Sequence, residues 1–194
     1  MSEINDDGWR VDGDGRALRR GGGMKFAYAD PPYFGCGKSH YGEHHPDAAD
    51  FDIKQTHLDL IARLTDEYPD GWVLSCNPRD LAWLLPACPE DVRVGAWCKT
   101  WHQIRPTTTQ FAWEPVIWRG GRKDNKRSPM VRDWLACAVT RQKGLKGAKP
   151  EQFNRWVIDL LAFREGDVLD DLFPGTGGMT DTLSRRTFDF GDTA

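Results

Sequence analysis

No apolar run in this 194-residue chain approaches the roughly 20 residues that cross a bilayer as a helix. The N-terminal stretch has no apolar signal region; Met1 to Gly23 is polar, charged and ends in Gly21-Gly22-Gly23. Cysteine is scarce: five residues, an odd number at scattered spacings, argue against a disulfide framework. These absences predict an intracellular, cytoplasmic protein with no membrane partner. Two nucleotide signatures are missing as well. The one Gly-rich turn lacks G-x-G-x-x-G spacing, because position 180 is Thr, and no Gly-Lys-Ser/Thr follows it to make a phosphate loop.

Neither sign of charge dominates overall, since 26 Lys and Arg face 29 Asp and Glu for a net of −3, but the charge is unevenly spread. Arg119 to Lys149 holds ten Lys or Arg against two Asp, a net +8 that leaves −11 on the remainder. Such asymmetry fits a local polyanion contact, and equally a solvated basic loop. Within it, Arg122, Lys123, Lys126 and Arg127 are the candidate phosphate contacts.

Met1–Gly23 is expected as a flexible tail, and residues 24–194 as a single domain of sufficient size for a real core. Met24 to Ala29 reads as a buried strand that stops at Asp30-Pro31-Pro32. Phe34 to Phe51, rich in Gly, His and Asp, reads as a long loop. Ile53, His57, Leu60, Ile61 and Leu64 share one helical face. Trp72 to Cys76, Val92 to Trp97, Ala112 to Trp118 and Val168 to Leu172 are strand candidates. Pro78 to Leu85 and Glu151 to Phe163 read as helices, the latter from Phe153, Trp156, Val157, Leu160 and Leu161. Another helix and a short strand, Thr187 to Phe190, are expected to close the chain. Alternating strands and helices predict an α/β fold with a largely parallel sheet flanked by helices. Trp72, Trp83, Trp97 and Trp156 lie in apolar patterns and are assigned to the core. Trp101 near Arg105 fits a stacking surface or ordinary packing.

Two local sequences carry chemistry. The first is a strand, turn and helix, Val168 to Gly178, whose Asp171-Leu172-Phe173-Pro174-Gly175-Thr176-Gly177 turn sits where open α/β sheets bind ligands. Glycine there lets backbone approach a ligand, although many tight turns use it structurally. An acid just before the turn suits a cofactor bearing a cation or an amine. The second is Asp30-Pro31-Pro32-Tyr33. Its prolines stiffen the loop, so the Asp30 carboxylate and the Pro31 carbonyl can aim at one small polar group. Two fixed acceptors can take both N–H donors of a planar exocyclic amine and favour a pyramidal, nucleophilic nitrogen. Tyr33 offers a face for a flipped base. A rigid turn with an Asx-type hydrogen bond explains the tetrapeptide equally well. Cys36, His40, His44 and His45 cluster just beyond, in no zinc spacing, so no metal is expected; Lys38 and His40 are candidate strand contacts.

Together these pieces resemble the DNA amino-methyltransferases, which act on adenine N6 or cytosine N4. Asp30 to Tyr33 is similar to their catalytic motif and Asp171 to Gly177 to their Asp-x-Phe-x-Gly-x-Gly cofactor motif. Lys149-Pro150 is similar to the pair that opens the preceding helix, and Glu114 to the acid that begins a strand. The resemblance spans Met24 to Gly178, in the order of the circularly permuted β-type group. It implies a Rossmann-like methyltransferase fold, with residues 119–149 as a short basic target-recognition insert. It implies a site-specific enzyme that uses S-adenosylmethionine (SAM) on DNA, most consistent with adenine N6 because Asp stands at the first motif position. Cytosine N4, RNA, or a non-catalytic nucleic-acid-binding module on the same fold are the alternatives. The roles implied are Asp30 and Pro31 on the target amine, with Pro32 in the same loop and Tyr33 on the base. Asp171, Phe173, Gly175, Thr176 and Gly177 would shape the cofactor pocket, and Lys149 would hold the cofactor's carboxylate end. Two features depart from the pattern. Trp113 stands where the family often has His, and only Asp189 or Asp192 remains to grip the ribose. The short recognition region leaves room for a homodimer or a partner subunit, and the small build is similar to that of phage or mobile-element enzymes.

Overall fold

A computed structural model describes residues 9–11, 17–19, 23–38, 46–100, 104–123, 130–139 and 148–189. His40, His44, His45, Trp101, Lys126, Arg127 and Asp192 lie outside the described residues. Along the chain come β1 (Trp9–Val11), β2 (Ala17–Arg19), β3 (Lys25–Ala29), a 3₁₀ segment (Pro46–Asp52) and α1 (Lys54–Glu67). Next are β4 (Gly71–Ser75), a helical stretch built from Pro78–Asp80, α2 (Leu81–Leu84) and Leu85–Ala87, then β5 (Arg93–Lys99) and β6 (Trp113–Gly120). β7 (Trp134–Cys137), α3 (Glu151–Leu160), β8 (Val168–Asp171) and α4 (Gly178–Asp189) complete the order.

Six strands form one sheet in the order β7-β5-β6-β4-β3-β8. Five run the same way; β6 alone is antiparallel to both of its neighbours. β8, last in sequence, lies beside β3, the first strand of this sheet. The period of two then sorts side chains between two cores. Phe26, Tyr28, Val73, Trp97, Val116 and Trp118 face α3 and α4, packing on Phe153, Trp156, Val157, Leu161 and Met179. Ala27, Ala29, Trp72, Leu74 and Ile117 face the other way, onto Leu60, Ile61 and Leu64 of α1. Trp72, Trp97 and Trp156 are buried as expected, while Trp83 is half-buried at the margin of the second core.

The structure differs from the sequence expectation in three places. Within the segment expected as a tail, β1 and β2 pair antiparallel, Trp9 opposite Arg19. β7 lies inside the basic segment, which shows little periodicity in sequence. The expected strand from Thr187 is a helix instead, because α4 runs from Gly178 through Asp189.

Arg122, a candidate phosphate contact, stands at the edge of the sheet opposite Asp30. β6 carries the chain away from the strand ends that hold Asp30, over about 23 Å at roughly 3.3 Å per residue. Its exit lies at the opposite edge, where the Arg122 guanidinium donates to both Asp167 oxygens at 2.7 and 2.8 Å. Asp167 also accepts from the backbone N–H of Met24 at 2.7 Å and of Arg164 at 2.8 Å. This carboxylate is 1% exposed and ties the entry of β3, the exit of β6 and the turn before β8. The Arg122 guanidinium is thus engaged in a structural ion pair, and exposed Lys123 shares its edge. Removing one partner of a buried ion pair strands the other. Asp167→Ala is expected to lower unfolding free energy by about 3 kcal/mol. Lys123→Ala should stay within about 0.5 kcal/mol of wild type. Urea unfolding of both variants measures the difference.

Candidate active site

The parity that builds the α3-side core also builds a polar site at its upper rim. Tyr28, Ser75 and Lys99 continue that face at the carboxyl ends of β3, β4 and β5. Glu114 joins them because antiparallel β6 begins where the others end; it lies opposite Trp97 in the ladder. Asp30 follows β3 directly, and Lys149 precedes α3, where Pro150 in extended conformation opens the helix.

Four charges alternate across this rim. The Lys149 ammonium donates to both Asp30 oxygens at 2.8 Å and stands 3.8 Å from Glu114. The other Glu114 oxygen pairs with Lys99. The Tyr33 hydroxyl donates to Glu114 at 2.9 Å and lies 3.4 Å from Lys149, whose ammonium also sits over the Tyr33 and Phe153 rings. Side chains here are 10–20% exposed. Burial pushes the Asp30 carboxyl above its ordinary range; Lys149 opposes the rise and nearby Glu114 adds to it. Glu114 is also penalised by burial, but Lys149 and Lys99 together hold it below the ordinary range. Burial, with Glu114 and Asp30 nearby, lifts the Tyr33 hydroxyl well above its ordinary value, so it remains a neutral donor.

Beside Asp30 opens a cavity of about 380 Å³. Tyr28, Asp30, Pro32 and Lys149 line one side; Asp171, Phe173, Gly175 and Thr176 of the Gly-rich turn line another. Gly175 and Gly177 take φ of +48° and +78°, a region that favours glycine. Gly177 closes the turn, donating its N–H to Pro174 and accepting from Asp181 in α4. The Asp171 carboxylate accepts from the Phe173 N–H at 3.2 Å, and burial raises its pKa.

The sequence did not single out the remaining walls. Asp47, Ala48 and Phe51 come from the 3₁₀ segment, and Asn154 from α3. Phe51 meets Phe173 edge to face at 5.2 Å, which closes the segment over the turn. Nothing in the spacing of Pro46–Asp52 announces a ligand wall. Lys99 was also missed, though its place two residues after core Trp97 carries the signal. Lys149, expected at a cofactor carboxylate, borders the cavity but has its ammonium on Asp30. Pro31 is buried, and Lys38 is exposed, its N–H donating to Asp52 at 3.0 Å. Trp113 points away from Glu114 and is 38% exposed.

No protein-family model matches the chain, and no curated protein matches it. Among solved structures, the crystal structure of the M1.HpyAVI–SAM complex matches with a TM-score of 0.57 and 15% identity, over 84% of this chain and 78% of that one. The crystal structure of M1.HpyAVI matches with a TM-score of 0.49 and 15% identity, over 84% and 76%. The chain has the M1.HpyAVI fold. The expected α/β architecture with a mostly parallel sheet is therefore shared with a protein crystallised with SAM. No helix among the described residues is long and apolar enough to cross a membrane.

In this M1.HpyAVI-like frame Lys149 is the cation that opposes the burial cost of ionised Asp30. Replacing it by Met removes a lowering influence, so the Asp30 pKa rises further. A ¹³C-carboxyl titration by NMR is expected to show the Asp30 midpoint at higher pH in Lys149→Met than in wild type.

Proposed function

We propose that the protein transfers a methyl group from SAM to an exocyclic amine of a nucleic-acid base, with adenine N6 of DNA as the first substrate. The observation that carries this reading is the position of Asp30. A stiffened carboxylate stands on the lip of a cavity whose other wall is the Gly-rich turn at the end of the adjacent strand.

The residues present fit SAM. The cavity is of the size of such a ligand, its acids Asp30 and Asp171 suit a sulfonium and an amine, and Phe51 and Phe173 supply apolar walls. Bound there, SAM would supply an electrophilic methyl group. Asp171, Phe173, Gly175 and Thr176 would hold it, with Asp47 and Phe51 across from them. Asp30 does not need to act as a base in the ground state. Its oxygens and the Pro31 carbonyl accept the two amine N–H groups and favour the pyramidal nitrogen. On taking the methyl group the amine would have one proton to lose. A buried carboxylate with a raised pKa is suited to take that proton or pass it to water. Tyr33, fixed by its hydrogen bond to Glu114, stacks on the base.

The nucleic acid is best met by the rim around this site rather than by the start of the basic segment. Lys38, Arg79 and Arg105 are exposed at the Asp30 edge, Arg79 in the 3₁₀ turn Pro78–Asp80. Arg79 stacks on Phe111 at 4.6 Å, and Lys54 lies 5.6 Å over Phe34, so cations and aromatic faces alternate there.

Incubation with methyl-labelled SAM and unmethylated DNA, followed by nucleoside digestion and mass spectrometry, tests the activity. N6-methyladenine is the expected product, reduced about 10²–10³-fold or more in Asp30→Ala. N4-methylcytosine would correct the base, and label on RNA alone would correct the polymer. No transfer, with SAM still bound, would defeat the nucleic-acid reading. For the rim, Arg79→Ala with Arg105→Ala should flatten the dependence of log affinity on log salt by about 0.9 per lost phosphate contact. Lys123→Ala, at the far edge, should leave the slope unchanged. The opposite pattern would return the contact surface to the basic segment.

A further inference from the structure

Asp30 cannot receive a target amine freely while Lys149 bonds both of its oxygens. A carboxylate offers about four lone-pair sites, and Lys149 takes one on each oxygen from a position 10% exposed. An arriving amine must share or displace the ammonium, and a displaced ammonium in so buried a place needs another acceptor. Glu114 already stands 3.8 Å from the same ammonium. Its two oxygens are held by Tyr33 and Lys99, so it is fixed in place to receive a third donor.

We propose that Glu114 is a positioning residue of the transfer step: it receives Lys149 as the target amine takes Asp30, and it holds the Tyr33 ring against the base. The inference rests on the reading of Asp30 as the amine-binding group. Before the amine arrives, Lys149 stands nearer Asp30. As two N–H donors reach Asp30, Lys149 shifts the roughly 1 Å that brings it into hydrogen-bond range of Glu114. The ion count of the site does not change: two carboxylates and two ammoniums remain, and no buried charge is stranded. Lys99 makes this workable by keeping Glu114 ionised before and after the shift. Substrate entry and charge balance are then one event. The groups facing Asp30 are Lys149 ahead of α3, Glu114 on β6, Ser75 on β4, Tyr28 on β3, Asp171 on β8 and Tyr33 in its own loop. Of these, Glu114 is the one that contacts both Lys149 and Tyr33.

Glu114→Gln keeps an acceptor for Tyr33 but removes the charge that receives Lys149. The double variant Lys99→Met, Glu114→Gln removes both charges of that pair and guards against a fold lost to an unpaired Lys99. Two measurements are made on each. The first is the ¹³C-carboxyl titration of Asp30 in the ligand-free protein. Glu114 raises the Asp30 pKa, so its neutralisation should move the midpoint to lower pH. The second is steady-state methyl transfer, where kcat should fall roughly 10- to 100-fold with little change in KM for the nucleic acid. Tyr33→Phe, which loses the hydroxyl's contacts with Glu114 and Lys149 but no charge, should instead raise KM and leave the midpoint in place. An unmoved Asp30 midpoint in both charge variants overturns the proposal, as does a wild-type kcat in both. A wild-type protein that methylates no nucleic acid overturns the underlying reading alone. The titration then still decides whether Glu114 and Asp30 share Lys149.

Discussion

The contact between Lys149 and Asp30 joins residues 119 positions apart, and the arrangement of the site follows from it. It draws the start of α3 over the end of β3 and so fixes one wall of the cavity. It also sets an electrostatic condition. A buried ion pair is weak evidence for stability, because desolvating both ions costs about as much as their attraction returns. Residues chosen for stability alone would be apolar here, as they are deeper on the same face, where Trp97, Phe153 and Trp156 pack together. Two carboxylates and two ammoniums gathered at such a place are better explained by what they can bind than by what they hold together.

The sheet explains how the charges meet. Five parallel strands deliver their carboxyl ends to one edge, which is where ligands bind in open α/β sheets. Antiparallel β6 delivers its beginning there instead. Glu114 therefore joins a site otherwise made from strand ends, and the chain that follows leaves by the far edge. The same reversal separates the two kinds of cation. Lys99 and Lys149 belong to the site, whereas Arg122 anchors the opposite edge through Asp167.

Much of this was legible in the sequence. Short apolar runs marked β3, β4 and β8, and helical spacing marked α1 and α3, because each buries a continuous face. Asp30 and the Gly-rich turn were legible because stiff and permissive residues have strong local meaning. What failed had weak or misleading local signals. Trp-Leu-Ala-Cys of β7 is four residues at a sheet margin, with Trp134 46% exposed, so no alternation toward a core identifies it. Thr-Phe-Asp at the end of α4 alternates like a strand, but the helix begun at Gly178 runs on through it. The Asp167 partner of Arg122 had no signal in the charge of residues 119–149, since composition does not say at which edge a strand ends. The partner of Lys149 was invisible for the same reason: a contact across 119 residues has no local trace.

The antiparallel pairing of β5 with β6 has one more consequence. Glu114 faces the site and Trp113 faces away only because successive strand residues point to opposite sides. The charge pattern of the candidate site is thus encoded in an odd–even count along β6. A single-residue insertion between Glu114 and Val116 would turn the Glu114 carboxylate to the opposite face of the sheet while leaving every original side chain of the chain unchanged. Length changes in the loop before Trp113 carry no such penalty, so the stretch that can drift in length lies directly against one that cannot.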